Sequence, residues 1–347
     1  MSVPDRIWVS NLIDAVATRW AMPPIIANLV TIGAVPIILT VLYFNVASGY
    51  TWTFLLTHSL LTCLLSGICY LVWYYDQKVL PKFISDVERI TGPEWQSVSN
   101  GLVRFYRADW WKTTIGYGIL SPIAFAANFG FYQTQGVGEI GTLSFTIYML
   151  YALCTSLISS LGIHLILTTL IAVSRVSKTD LQIDPLHVDG LGGLGFIGEF
   201  CVSTMAIASF GALSFPYAFQ LATGGSFESV VYMGVGLYLV ILVGIFVYPT
   251  IQANRQAEEK RASKLEELRC RINQLEAELE QVENTAEEST GPLVKKEMEL
   301  QRLREKYNEH QSVRLYPLSI GVIVRFAGSV LLPLMFLLLE FYLPTVL

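Results

Sequence analysis

Seven apolar stretches of membrane-crossing length run through this chain, and they leave little choice of fold. A helix needs about 20 apolar residues to cross roughly 30 Å of hydrocarbon. Segments 25–46, 52–75, 115–132, 143–173, 196–221, 230–248 and 318–342 reach or approach that length, and the fourth is long enough to continue beyond the membrane. Lipid offers no hydrogen-bond partners, so each segment must satisfy its backbone internally, which a helix does. The sequence therefore predicts an all-α polytopic membrane protein with seven transmembrane helices. Composition agrees: 53% of the 347 residues are hydrophobic and 15% are charged, against about 25% charged in soluble domains.

Charge orients the segments. Arg6 and Arg19 precede the first span; Lys78, Lys82, Arg89, Arg104, Arg107 and Lys112 lie between the second and third; Arg175 and Lys178 lie between the fourth and fifth. Twelve more, from Arg255 to Arg314, lie between the sixth and seventh, and Arg325 is about two turns into the seventh from that same side. Loops 47–51, 133–142 and 222–229 contain none of the 23 basic residues. Lys and Arg gather in cytoplasmic loops, so the N-terminus is expected inside and the C-terminus outside, in a plasma or cell membrane. The predicted organisation is an interfacial helix over 1–24, spans one to six over 25–250 with cytoplasmic loops 76–112 and 174–195, a coiled-coil hairpin over 251–316, and the seventh helix over 317–347.

Several classes fall away. The net charge of -5 and the absence of a basic patch argue against nucleic acid. Cys63, Cys69, Cys154 and Cys201 sit in apolar runs and Cys270 in a charged stretch, none in a CxxC or His-paired spacing, so disulfides and a thiolate zinc site are not expected. Residues 1–19 have acidic residues and no apolar core, unlike a signal peptide, so the mature chain is expected to begin near Met1. No nucleophile is paired with a base and no HExxH occurs, so neither an enzyme nor a cofactor is expected. The broken-helix inverted repeats of secondary transporters are missing too.

On the basic side, Ile7, Trp8, Leu12, Ile13, Val16 and Trp20 recur at helical spacing, which suits a helix lying in the interface. Thr91 is expected to cap a helix with Pro93 in its first turn. That helix presents Trp95, Val98, Leu102 and Phe105 on one face and ends at Trp110 and Trp111. Between spans six and seven, Leu265, Ile272 and Leu279 form a heptad series, with Leu268, Leu275 and Val282 three residues after each. Turn and helix-start residues at 288–292 interrupt it. A second series follows with Leu293, Leu300 and Tyr307, offset by Leu303 and His310. The economical reading is an antiparallel hairpin, span six running about 50 Å into the cytoplasm and a shorter helix returning into span seven. Pro249 and Pro317 are expected to mark bends at the membrane surface. The hairpin reads either as a solvated helix pair or as the element that assembles subunits or moves span seven.

Three short motifs carry possible chemistry. The run Thr113, Thr114, Ile115, Gly116, Tyr117, Gly118 looks like a potassium-filter signature. A filter must be reached from outside by a descending pore helix, whereas charge bias puts this run at the inner start of span three, and a glycine-relaxed helix start is favoured. Gly190, Gly192, Gly193 and Gly195 match a GxGxxG phosphate loop, but such a loop needs a preceding strand, so a flexible return into the membrane is favoured. Asp184, His187 and Asp189, with Glu199 one turn inside span five, offer oxygen and imidazole donors for a divalent cation or other ligand, or else a plain polar turn.

Ionisable residues at membrane depth are costly and are functional candidates by default. They are His58 and His164, Glu199, Arg325 and Glu340. The histidines also fit neutral imidazoles bonded between helices, and Glu199 and Arg325 are at similar depth, fit for a structural ion pair. On span seven, steps of 100° bring Val322, Ser329, Pro333 and Glu340 within about 20° of one line, flanked by Arg325. That line, ending in an acid, reads as the lining of a cation pore.

Seven spans with the N-terminus inside, a sixth span continuing into a cytoplasmic helix, and a returning helix that feeds the last span together resemble the insect odorant and gustatory receptor-like superfamily of seven-helix ligand-gated channels. The resemblance covers the whole chain as topology, without a sequence motif. It implies a homo-oligomer, a tetramer by analogy, in which 322–340 lines a ligand-gated cation pore and 265–307 belongs to a cytoplasmic anchor. The alternative is a non-conducting membrane scaffold or signal transducer that recruits a cytoplasmic protein through 251–316.

Overall fold

The computed structural model of the chain describes residues 6–91, 95–176, 178–179, 193–224, 228–283, 290–312 and 320–346. Among them there is no strand. Among the described residues five stretches are long and apolar enough to cross a membrane: Pro24–Val46, Trp52–Thr91, Leu143–Val176, Gly195–Gln220 and Val231–Tyr248. The protein is a helical membrane protein.

Helix α1 (Trp8–Arg19) buries Val9 and Ile13 and leaves Trp8 and Leu12 exposed, as is Trp20 just after it. The first crossing comes in two pieces, α2 (Pro24–Val30) and α3 (Ala34–Val46), rather than one. Tertiary bonds explain the break. Asn28 Nδ2 donates to the Ser66 carbonyl (2.7 Å) and Ser66 Oγ donates to the Gly33 carbonyl (2.9 Å), which ties the turn to the second crossing. A Cβ on Gly33 would lie 2.9 Å from that Ser66 oxygen, so only glycine allows the backbones this close.

The second crossing, α4 (Trp52–Tyr74), does not end at 75. It passes through a π-helical turn, Tyr75–Val79, into α5 (Leu80–Thr91), a continuous helix of 40 residues. Thr91 is therefore the last residue of α5, donating its hydroxyl to the Val87 carbonyl (2.7 Å), and Pro93 lies outside the described residues. Helix α6 (Trp95–Ala108) buries Trp95 and Leu102 as its spacing predicts, together with Tyr106. The third apolar segment divides at Asn128 into α7 (Trp110–Ala127) and α8 (Phe129–Thr134). The filter-like run 113–118 is wholly helical within α7, so its carbonyls are engaged along the helix and cannot face an ion.

Helix α9 (Leu143–Val176), 34 residues long, is the central post, packed against α3, α4, α6 and α7. After it come α10 (Gly195–Ser209), a 3-10 turn at Phe210–Ser214, and α11 (Phe215–Gly224). Helix α12 (Glu228–Glu283) continues for 56 residues and remains helical through Pro249, where the sequence predicts a bend. Helix α13 (Thr290–Ser312) returns along it, and α14 (Ile320–Val346) completes the chain. Pro317 lies outside the described residues.

The α12–α13 pair is antiparallel. Lys296 bonds Glu278 (2.9 Å) and Arg304 bonds Glu276 (2.7 Å) across it. Of the heptad positions, Leu268 and Leu275 are buried, while Leu265, Ile272, Leu279, Leu300, Leu303, Tyr307 and His310 are half-buried. The side chains of Val282 and Leu293 lie outside the described residues.

Two predictions follow from this packing. Replacing Gly33 by Val must push α3 off α4, and thermal unfolding in detergent should show a loss of about 1–3 kcal/mol, as overpacking does. In the hairpin, partial burial and then the nearby Lys264 hold His310 below the usual imidazole range, and the Lys296 ammonium holds Glu278 below the usual carboxylate range. Both groups bind protons more weakly folded than unfolded, so the hairpin loses stability as pH falls. The loss begins as pH drops through the histidine's unfolded value of 6.5 and continues below 4.5. Hairpin hydrogen exchange at pH 7.5 and 5.5 should show the first step, and His310→Gln should abolish it.

Candidate functional site

The two membrane histidines are set into the bundle differently. His58 on α4 is fully buried, its Nε2 3.3 Å from Thr40 Oγ1; a chain of hydroxyls continues from Thr40 to Thr62 (2.7 Å) and Tyr151 (3.1 Å). The rings of Tyr43, Phe44, Phe54, Tyr148, Tyr151 and Tyr217 surround it at 4.3–6.0 Å between centroids. Its Nδ1 has no hydrogen-bond partner among the described residues. His164 on α9 is satisfied at both nitrogens: Nε2 bonds the Tyr106 carbonyl (3.1 Å) and Nδ1 meets Thr113 Oγ1 (3.0 Å). A carbonyl only accepts, so the neutral ring carries its proton on Nε2 and accepts from Thr113 at Nδ1. His164 pins α6, α7 and α9 together.

The π-helical turn holds a buried charge that the sequence reading did not single out. The Asp76 carboxylate is fully buried, and its Oδ1 accepts from Arg107 Nε and Nη2 at 3.3 Å each, while Oδ2 accepts from the Ile7 backbone N–H (3.3 Å). Beside it, Asp14 on α1 accepts from Trp73 Nε1 (2.8 Å) and Gln77 Nε2 (3.0 Å) and pairs with Arg6. These bonds dock α1 and α6 onto the end of α4. The available sequence signal was an acid placed directly after an apolar run, with basic residues clustered downstream.

The same turn builds a polar cavity of about 350 Å³ between α4–α5, α10 and α14. Tyr74, Lys78, Lys82 and Asp86 line it from one helix at steps of four. Such steps drift by about 40° each in a regular α-helix, or about 120° over twelve residues. The extra residue held in a π turn offsets about 100° of that, so the four side chains form one stripe. Helix α10 contributes Phe196, Glu199, Phe200 and Ser203, and α14 contributes Arg325. Phe83 stacks on Phe200 at 3.9 Å and forms the apolar wall.

Two predicted site residues therefore meet, but not as expected. Glu199 pairs with Lys82 (2.6 Å), side chains 49% and 63% exposed, and not with Arg325. Lys78 and Arg325 line the cavity with no ion-pair partner among the described residues. The predicted pore line is described only at Ser329, Pro333 and the flanking Arg325. Ser329 and Pro333 are buried, Ser329 bonding the Arg325 carbonyl (2.9 Å). The exposed face of α14 is apolar: Val324, Leu331 and Leu338, with Ile323, Leu334 and Met335. The side chains of Val322 and Glu340 lie outside the described residues, as do Asp184, His187 and Asp189 altogether.

Removing one partner from the buried Asp76–Arg107 pair strands the other. Asp76→Ala should cost about 3–5 kcal/mol, read as lower thermal stability in detergent. Asp76→Asn, which keeps an acceptor for Ile7 N–H, should cost less. No family model, curated protein or solved structure matches the chain.

Proposed function

We propose that this chain is a multi-pass membrane scaffold or signal transducer that presents the α12–α13 pair to a cytoplasmic protein, with seven crossings, the N-terminus inside and the C-terminus outside. One observation carries it: α12 is continuous from its apolar half, Val231–Tyr248, through its charged half to Glu283. At 1.5 Å per residue it is a rod about 84 Å long, which joins the bundle to the helical pair without a loop in which motion would dissipate. Phe246 on α12 packs against Phe326 of α14, ring centroids 4.4 Å apart, fixing the rod to the last helix before it leaves the bundle.

The conducting alternative is the less favoured, because of the facing of α14. A pore formed where several α14 helices meet through their exposed faces would be lined by Val324, Leu331 and Leu338. Those side chains offer a permeating ion no oxygen ligands in place of its water. The likeness to the odorant and gustatory receptor-like channels rests on topology alone: span number, end directions, and a sixth span that continues into a helix paired with one returning to the last span.

Cross-linking in native membranes separates the two. The scaffold reading expects Lys264, Lys295 and Lys296 to cross-link to a second, different polypeptide, and those links to vanish when residues 261–311 are deleted while the bundle stays helical. Purified protein in liposomes should pass cations no faster than protein-free liposomes. Cation flux from the purified protein, with cross-links only between copies of this chain, would overturn the proposal in favour of the channel.

A further inference from the structure

We infer that the cavity between α4–α5, α10 and α14 is a binding site for a phosphate-bearing anion, either a phospholipid headgroup or a soluble phosphate compound. Three cations line it, Lys78, Lys82 and Arg325, against two carboxylates, Asp86 and Glu199. Glu199 is committed to Lys82 at 2.6 Å, and Asp86 lies 3.7 Å from Arg89. Two cations from separate helices, Lys78 and Arg325, thus line a shared space with no ion-pair partner among the described residues. A phosphate group accepts charge-assisted hydrogen bonds from both kinds of side chain, bidentately from a guanidinium. The volume of about 350 Å³ falls within the range of small-ligand sites and accommodates a headgroup.

Position supports the assignment. The stripe begins at Tyr74, where the apolar run of α4 ends, and continues into charged α5. Phe83 of α5, packed against Phe200 and Phe196 of α10, forms the cavity's apolar wall. A phosphate held by Lys78 and Arg325 would therefore have apolar surface beside it on the bundle side, which suits a molecule with a charged head and a glyceride body. Basic pockets of this kind between membrane helices hold anionic headgroups elsewhere. The Lys82–Glu199 pair narrows the site and withholds its third cation.

The test uses full-length protein in nanodiscs of three compositions: phosphatidylcholine alone, phosphatidylcholine with phosphatidic acid, and phosphatidylcholine with inorganic pyrophosphate in solution. Binding is read as retained adducts in native mass spectrometry and as a rise in unfolding temperature. A rise only with phosphatidic acid identifies a headgroup site; a rise only with pyrophosphate identifies a soluble ligand. Lys78→Gln and Arg325→Gln should each weaken binding about fivefold, the effect of one charge at a membrane surface, and Arg325→Lys should retain most of it. Glu199→Gln frees Lys82 and should strengthen binding several-fold, a gain that misfolding cannot mimic. Lys264→Gln on the hairpin is the control. The inference fails if neither phosphate probe binds, or if Arg325→Gln and Glu199→Gln both bind as the unaltered protein does.

Discussion

One end of the bundle is organised by one buried carboxylate. Taking a charge out of water costs several kcal/mol unless geometry and hydrogen bonds compensate, and Asp76 is compensated by three partners from two other segments: two donors of Arg107 on α6 and the Ile7 backbone N–H. The π-helical turn at Tyr75–Val79 makes this possible. By holding one extra residue it turns Asp76 inward, while its neighbours Lys78 and Lys82 stay on the opposite, cavity-lining side. The docking of α1, the seating of α6 and the charged stripe beside α10 and α14 share that single local adjustment. Turns of this kind concentrate at functional sites because they re-aim side chains without ending the helix.

Elsewhere in the bundle, polar groups are satisfied cheaply and close by. Thr62, Ser66, Thr168 and Thr169 donate to carbonyls one turn back on their own helices. Several then reach across: Tyr75 OH to Thr169 at 2.9 Å, Thr169 to Thr204 at 3.1 Å, Thr114 to Ser160 at 2.8 Å. Such interhelical bonds are each worth about 0.6 kcal/mol in membrane proteins. Their number around α9, together with close approaches such as Gly33 on Ser66, sets which helices are neighbours more than apolar burial does, because lipid competes equally for apolar surface.

The parts legible in the sequence are those where one chemical preference decides the outcome. The apolar run of α9 and its extension to Val176, the heptad leucines at 268 and 275, and the buried face at Trp95 and Leu102 all follow from period and length. The parts that were not legible depend on partners distant in sequence. Within residues 25–46 only Gly33 and Pro36 hint at the break before Ala34, and its cause is the Ser66 carbonyl on another helix. The second span reads on to Thr91 because Asp76 finds Arg107 and Ile7, which turns a stop signal into a buried one. Glu199 stands out in the sequence as an acid at membrane depth, but its partner is decided by α5, which brings Lys82 within 2.6 Å.

Helix α14 shows why a polar line on an apolar helix is ambiguous. In water, a polar line faces out; in lipid it faces inward, toward other helices or a cavity, since hydrocarbon solvates Val324 and Leu331 well and a hydroxyl poorly. A line such as Ser329 and Pro333 therefore fits a pore or a packed interface equally, and only the neighbours decide. Here they are α10, α11 and α12. Arg325, in the cavity, is next in sequence to Phe326, which packs against Phe246 of α12. An anion held at Arg325 can bias α12, and with it the distant hairpin, only by binding two arrangements of α14 with different affinity. The exposed Lys82–Glu199 pair is the element whose making and breaking could distinguish those arrangements, because Lys82 is the cavity cation that such an anion must share with a carboxylate.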